Sequence, residues 1–224
     1  MTRMMFPLGS VITGCAVITG ALTPALAQEQ EPPPAEEIQA AESAPLFASH
    51  DVLEITFEAD FHTIRRDDRS DEDSEERPAR MSWRKPDGSM ATQEIQLKTR
   101  GKFRLSRRNC DFPPLRVNVK TGQTEGTIFE GQDKLKLVVT CKPNQDYWEQ
   151  YILAEYLAYR MLNVFTPLSF RVRLVKATYI DNSGEDDTFT RYAFFIEDDD
   201  VMAARNRGWK LDWTPPHQFD PRLL

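Results

Sequence analysis

The sequence predicts an α+β domain, an antiparallel sheet of five or more strands with one long helix inserted. Three observations carry this expectation. Period-two alternation recurs along the chain, as in "DVLEITFEADF" at 51–61, which marks a strand with one face in a core. A single stretch, 144–165, has apolar residues at helical spacing over many turns. It falls between the strand-like segments at 134–140 and 169–181, so helix and strands share one layered unit.

In the first strand Leu53, Ile55, Phe57 and Ala59 lie on one side, and Val52, Glu54, Thr56 and Glu58 on the other. The mixed-charge run 65–80, "RRDDRSDEDSEERPAR", reads as a solvated, mobile loop. A hairpin follows, with strands at 79–84 and 93–100 around the turn "KPDG", where Pro, Asp and Gly each suit one turn position. Gly101 interrupts the return strand and marks a bulge or a close backbone approach. Further strands fall at 115–119 and 134–140, joined by a long connection in which Ile128 and Phe129 can dock on the core. In the helix, Asp146 with Glu149 three residues on fits a capping box. A last hairpin spans 169–181 and 188–197, and a short helix is expected at 199–207.

The beginning of the chain reads differently. Arg3, an apolar run over 7–22 and Ala25-Leu26-Ala27 follow the order of a secretory signal peptide with an A-x-A cleavage site. The expectation is therefore export to the periplasm or medium, with residues 1–27 removed and no membrane span after cleavage. "ITGC" at 12–15 resembles a lipoprotein box, but the apolar run continues past Cys15, which argues against lipidation there. Residues 28–47 are rich in Pro, Glu, Ala and Gln and read as a disordered tether. About 180 residues then remain, the size of one domain. The formal charge is −7, and an acidic total argues against nucleic acid as the partner, since phosphate binding needs a basic footprint.

Four groups of residues can carry chemistry. Lys98, Arg100, Lys102 and Arg104 alternate with Thr99, Gly101 and Phe103, so an unbroken strand would set four cations on one face. Arg107, Arg108 and Arg116 are near in sequence. Such a row is either a solvated face balanced by acidic loops or a site for phosphate or an anionic polymer. Cys110 and Cys141 are the two cysteines left after signal cleavage. In an exported chain they suggest one disulfide, which antiparallel pairing of 115–119 with 135–139 would bring together. Free thiols and a metal pair are the alternatives, and two thiolates without a nearby histidine make a poor zinc site. Glu197, Asp198, Asp199 and Asp200 either cap a helix or bind Mg²⁺ or Ca²⁺. His50, His62 and His217 show no ligand spacing.

Taken together, several motifs resemble the N-terminal half of the CotH-like (spore-coat protein H) atypical kinase family, in its exported branch with the Cys/FPPLR pattern. They are Arg100-Gly101, "FPPLRVNV" at 112–119, "DKLKLVVTC" at 133–141, "EYLAYR" at 155–160 and "FFIED" at 194–198. The resemblance covers residues 50–207 and implies a kinase-like N-lobe over 48–207. It places Arg116 as a phosphate contact on a central strand, Arg100 at the Arg-Gly element and Glu197 at the acidic end of a hinge-like strand. It implies ATP-dependent protein phosphorylation, with ATP and Mg²⁺ as cofactors only if that activity is present. Phosphoryl transfer needs metal-binding and positioning carboxylates beyond the hinge. Residues 208–224 read as no more than the start of such a C-lobe. Three functions are therefore expected: an exported CotH-like domain not competent alone, an envelope module binding an anionic glycan or protein through its basic face, or a phosphotransferase completed by a partner C-lobe.

Overall fold

The protein is described by a computed structural model over residues 31–67 and 74–210, all but Glu31 belonging to the compact unit that begins at Pro32. The expected signal peptide with Cys15, part of the charged loop (68–73) and the tail from 211 onward lie outside the described residues.

Seven strands are described: β1 (Leu53–Ala59), β2 (Arg77–Arg84), β3 (Met90–Thr99), β4 (Leu115–Asn118), β5 (Lys134–Val138), β6 (Val172–Asp181) and β7 (Phe189–Ile196). The helices are α1 (Ala35–Ser43), α2 (Phe61–Ile64), α3 (Glu149–Phe165) and α4 (Asp199–Arg205). The strands form one closed barrel in the order β1-β2-β3-β4-β5-β7-β6. Every pair is antiparallel except the closing one, in which β1 runs parallel to β6 from Leu53 opposite Val175 to Ala59 opposite Asp181.

This corrects the expected open antiparallel sheet and its kinase-like N-lobe plan. Alternation identifies a strand equally well in an open sheet and in a barrel. What closes this one is β6, which gives one edge to β7 and the other to β1. The helical pattern at 144–165 does form α3, yet the helix is attached to the outer wall rather than inserted in the sheet. It buries Ile152 and Tyr156 against Val138, Val172, Phe194 and Ile196. The expected capping box is absent. Asp146 accepts from the Arg191 guanidinium at 2.7 Å, and Glu149 accepts from the Tyr192 amide at 2.6 Å, so both carboxylates fasten the helix start to β7.

A second difference concerns 28–47. Its composition suggests disorder, but from Ala35 the chain is helical, and Leu46 and Phe47 are buried in the core. Two arginines explain the ordering. Arg171 donates to the carbonyls of Ala41 and Glu42, and Arg173 donates to that of Ser49. They anchor the segment through main-chain oxygens, which any sequence supplies.

The barrel interior is filled by Ile55, Phe57, Met81, Leu97, Val117 and Leu137, among others, all buried. Side chains are enough to fill a barrel of about eight strands. Its ends are closed by aromatic rings. At one end Tyr179 meets Phe61, Phe112 and Phe189 at centroid distances of 5.5, 5.0 and 4.8 Å. At the other, Phe129 from the β4–β5 connection packs edge-on against Trp83 at 4.9 Å and Phe195 at 6.0 Å. Among the described residues no helix is long and apolar enough to cross a membrane.

The Cys110–Cys141 disulfide is formed. The amides of Asp111 and Phe112 both donate to the Cys141 carbonyl, so the bridge sets Phe112 over the barrel end. Pro113 and Pro114 lead from there into β4. Replacing both cysteines by serine removes a cross-link with a sequence separation of 31. Denaturant unfolding is expected to show a loss of about 3–4 kcal/mol, with the midpoint falling; an unchanged midpoint would refute the role given to the bridge.

At the same end, Asp181 accepts from the amides of His62, Glu185 and Asp186 and from the Ser183 hydroxyl. Burial pushes its carboxyl up, but these donors outweigh burial and hold it at about 2, below the usual 3.8. A carboxyl depressed on folding adds stability above its unfolded pKa and loses it as pH falls through the folded one. Asp181→Asn should therefore lower the melting temperature at neutral pH, and the gap from wild type should close as pH approaches 2. A gap independent of pH would count against this account.

Candidate anion-binding face

The outward side chains of β3, β4 and β5 build the site. Leu97, Val117 and Leu135 point inward and are buried. Their neighbours Lys98, Arg116 and Lys136 therefore point outward, and pairing registers them as a row: Lys98 opposite Arg116, Arg116 opposite Lys136. Directly opposed like charges repel, so a row of this kind persists beside compensating anions. Asp199, at the start of α4, pairs with Lys136 and lies 3.7 Å from Lys210. Lys136 also sits over the Phe170 ring, 5.5 Å from its centroid.

The state of Asp199 reports the local potential. Burial raises its carboxyl pKa, yet Lys136, Lys210 and Arg100 together pull it below the ordinary carboxylate value. The face thus holds a carboxylate ionised against partial desolvation. Tyr159 on α3 borders the same region: burial raises its hydroxyl, Glu155 raises it further, and Arg100 opposes both.

The expected four-cation ladder is not formed. β3 ends at Thr99, and the Arg100 amide donates to the Pro114 carbonyl at 3.0 Å. Gly101 then takes φ +92° with open space around it. Its role is a left-handed turn of the backbone, which glycine adopts without strain, and not a close approach. The chain continues as a 3₁₀ turn at Phe103–Leu105, so alternation stops. Arg100 remains beside β4 through its backbone bond to Pro114, and its charge acts on Asp199. Arg104 is diverted to Glu155 on α3, at 3.4 Å, and Lys102, Arg107 and Arg108 are exposed beyond the turn. Lys136 is missing from the predicted cation set, and Asp199 is expected only as a helix cap or a cation ligand. The signal for Lys136 was its alternation between Leu135 and Leu137; for Asp199 only the fold supplies one.

Glu197 is placed elsewhere. It is fully buried, where a hinge-end role would need an open position. Its carboxylate accepts from Arg171 Nε at 2.8 Å and from the Arg171 amide at 3.0 Å. On its other side it accepts from Arg205 Nε at 3.1 Å and Nη2 at 2.9 Å. Arg205 also donates to the carbonyls of Pro167 and Ser169. One carboxylate thus joins β7, α4, the start of β6 and, through Arg171, α1. Asp198 caps α4 by accepting from the Asp200 amide. Among the described residues no group of three or more His, Cys, Asp or Glu is placed to hold a metal ion.

Comparison with protein-family models, with curated proteins and with solved structures finds no match for the chain.

Removing one partner of a buried ion pair leaves the other charge uncompensated, at a cost of about 3–5 kcal/mol. Glu197→Ala should destabilise by that order in chemical unfolding. Protease cleavage near α1 and α4 should rise with it; a variant within experimental error of wild type would refute the joining role given to Glu197.

Proposed function

We propose that the protein is an exported binding module that holds an anionic polymer or an acidic protein segment of the cell envelope on the outer face of β3, β4 and β5. The observation that carries this reading is the register of Lys98, Arg116 and Lys136 across three strands. The charge of Arg100 acts on Asp199 in the same sense as that of Lys136. Successive cations across a sheet suit a ligand with repeated negative charges, with Lys98 and Arg116 at the interstrand spacing of about 4.8 Å and Lys136 reached by displacing its partner Asp199. Guanidinium groups add bidentate geometry toward carboxylate, sulfate or phosphate. Export is supported by the signal-like sequence at 1–27 and by the disulfide, a bond favoured in oxidising compartments.

Heparin-agarose tests the reading with a repeating carboxylate and sulfate polymer. The full chain should be retained and should elute with rising salt, because screening weakens exposed charge contacts. The double variant Lys98→Ser/Arg116→Ser should elute at much lower salt with its melting curve preserved. Arg107→Ser/Arg108→Ser, altered beyond the turn, should elute like wild type. Equal elution of wild type and the first variant would overturn the proposal.

A further inference from the structure

The outer face of α3 has no use in the anion site. Tyr147 in the turn before the helix, then Tyr151, Ala154, Ala158, Met161 and Phe165, are all exposed. They are spaced alternately four and three residues apart, the seam of a helix that packs along a second helix. The charged residues of the helix, Glu149, Glu155 and Arg160, fall outside this seam, and Glu155 is engaged by Arg104. The buried Ile152 and Tyr156 face the opposite way, onto the barrel wall.

Size and order identify the occupant. Read from either end, the seam runs large, large, small, small, large, large. An antiparallel copy centred between Ala154 and Ala158 sets Tyr147 opposite Phe165, Tyr151 opposite Met161 and Ala154 opposite Ala158. The two alanines let the helices approach at the middle while rings and thioethers fill the ends. Such a patch is complementary to itself, which is what a two-fold interface requires. It is also uncharged, so two copies of a chain with net charge −7 meet there without opposing like charges.

The available area fits. Tyr147, Tyr151, Met161 and Phe165 are 65%, 48%, 62% and 79% exposed, with four aliphatic neighbours exposed beside them. At 150–250 Å² for a large side chain, their exposed surface comes to about 1,000 Å². The seam supplies about half of that, and only with the flanking aliphatic residues does the surface exceed the largest apolar patch of a typical monomer, about 300–600 Å², and reach the roughly 800 Å² per partner of a stable interface. We infer that the protein forms a two-fold dimer through antiparallel packing of α3 against α3 of a second copy. This inference does not depend on the anion-binding reading.

Light scattering after size exclusion tests it on the full chain. Wild type should have the dimer mass at micromolar concentration, and Met161→Glu should have half that mass with an unchanged circular dichroism spectrum. Orientation is tested in a Cys15→Ser background. Mixing Ala154→Cys chains with Ala158→Cys chains should give a cross-linked pair on mild oxidation, while neither alone cross-links efficiently. A monomeric wild type overturns the inference. Cross-linking of Ala154→Cys with itself overturns the antiparallel arrangement. If Met161→Glu keeps the dimer mass, the interface lies elsewhere and the inference fails. A monomeric wild type that is also destabilised by Met161→Glu would show instead that part of the same chain covers the seam.

Discussion

Closure of the sheet by β1 against β6 is the constraint on which the rest of the structure depends. Once the two edges meet, every strand has an inside and an outside, and alternation along each strand becomes a division between core and surface. The closed wall also creates two open ends, and both demand large apolar plugs. Phe129 supplies one from a long connection, and Phe112 supplies the other from a segment pinned by the disulfide. The helices are therefore attachments to a barrel already complete in hydrogen bonding. The closing pair joins segments far apart in sequence, and topologies rich in such contacts tend to fold slowly because the loop is closed before the contacts repay it.

What was legible in the sequence was local. Alternation located the strands from Leu53 onward, helical spacing located α3, and the Pro-Asp-Gly turn located the β2–β3 hairpin. The cysteine pair was legible because the strands on either side of it could be paired by eye. Closure was not, since nothing in β1 or β6 alone says that they lie side by side, and a parallel pair has no hairpin to announce it. The ordering of α1 was hidden for a similar reason. Its own residues are poor core formers, and it is held by Arg171, far later in the chain, through carbonyl oxygens. The cation ladder failed at one residue. The left-handed turn at Gly101 sends Lys102 and Arg104 away from the face that Lys98 occupies.

Carboxylates divide into two kinds in this protein. Glu197 is sealed between two guanidinium groups and serves the architecture. Asp199, two residues on, is partly open and sits over cations that face outward. The chain therefore changes from structural to surface electrostatics within two residues, with Asp198 marking the boundary as the cap of α4. In the acidic run that looks uniform in sequence, Glu197, Asp198 and Asp199 each have a separate task.

The pairing of Asp199 with Lys136 has a further consequence. The cation face carries its own resident counter-ion, tethered to α4. A small anion in solution must compete with a carboxylate present at high effective concentration, so chloride or a single phosphate gains little by binding. On the proposed reading, a chain of linked charges displaces that carboxylate while holding neighbouring cations at the same time, which releases the tie from Lys136 on β5 to Asp199 at the start of α4. Occupancy of the face and the seating of α4 become two readings of one exchange.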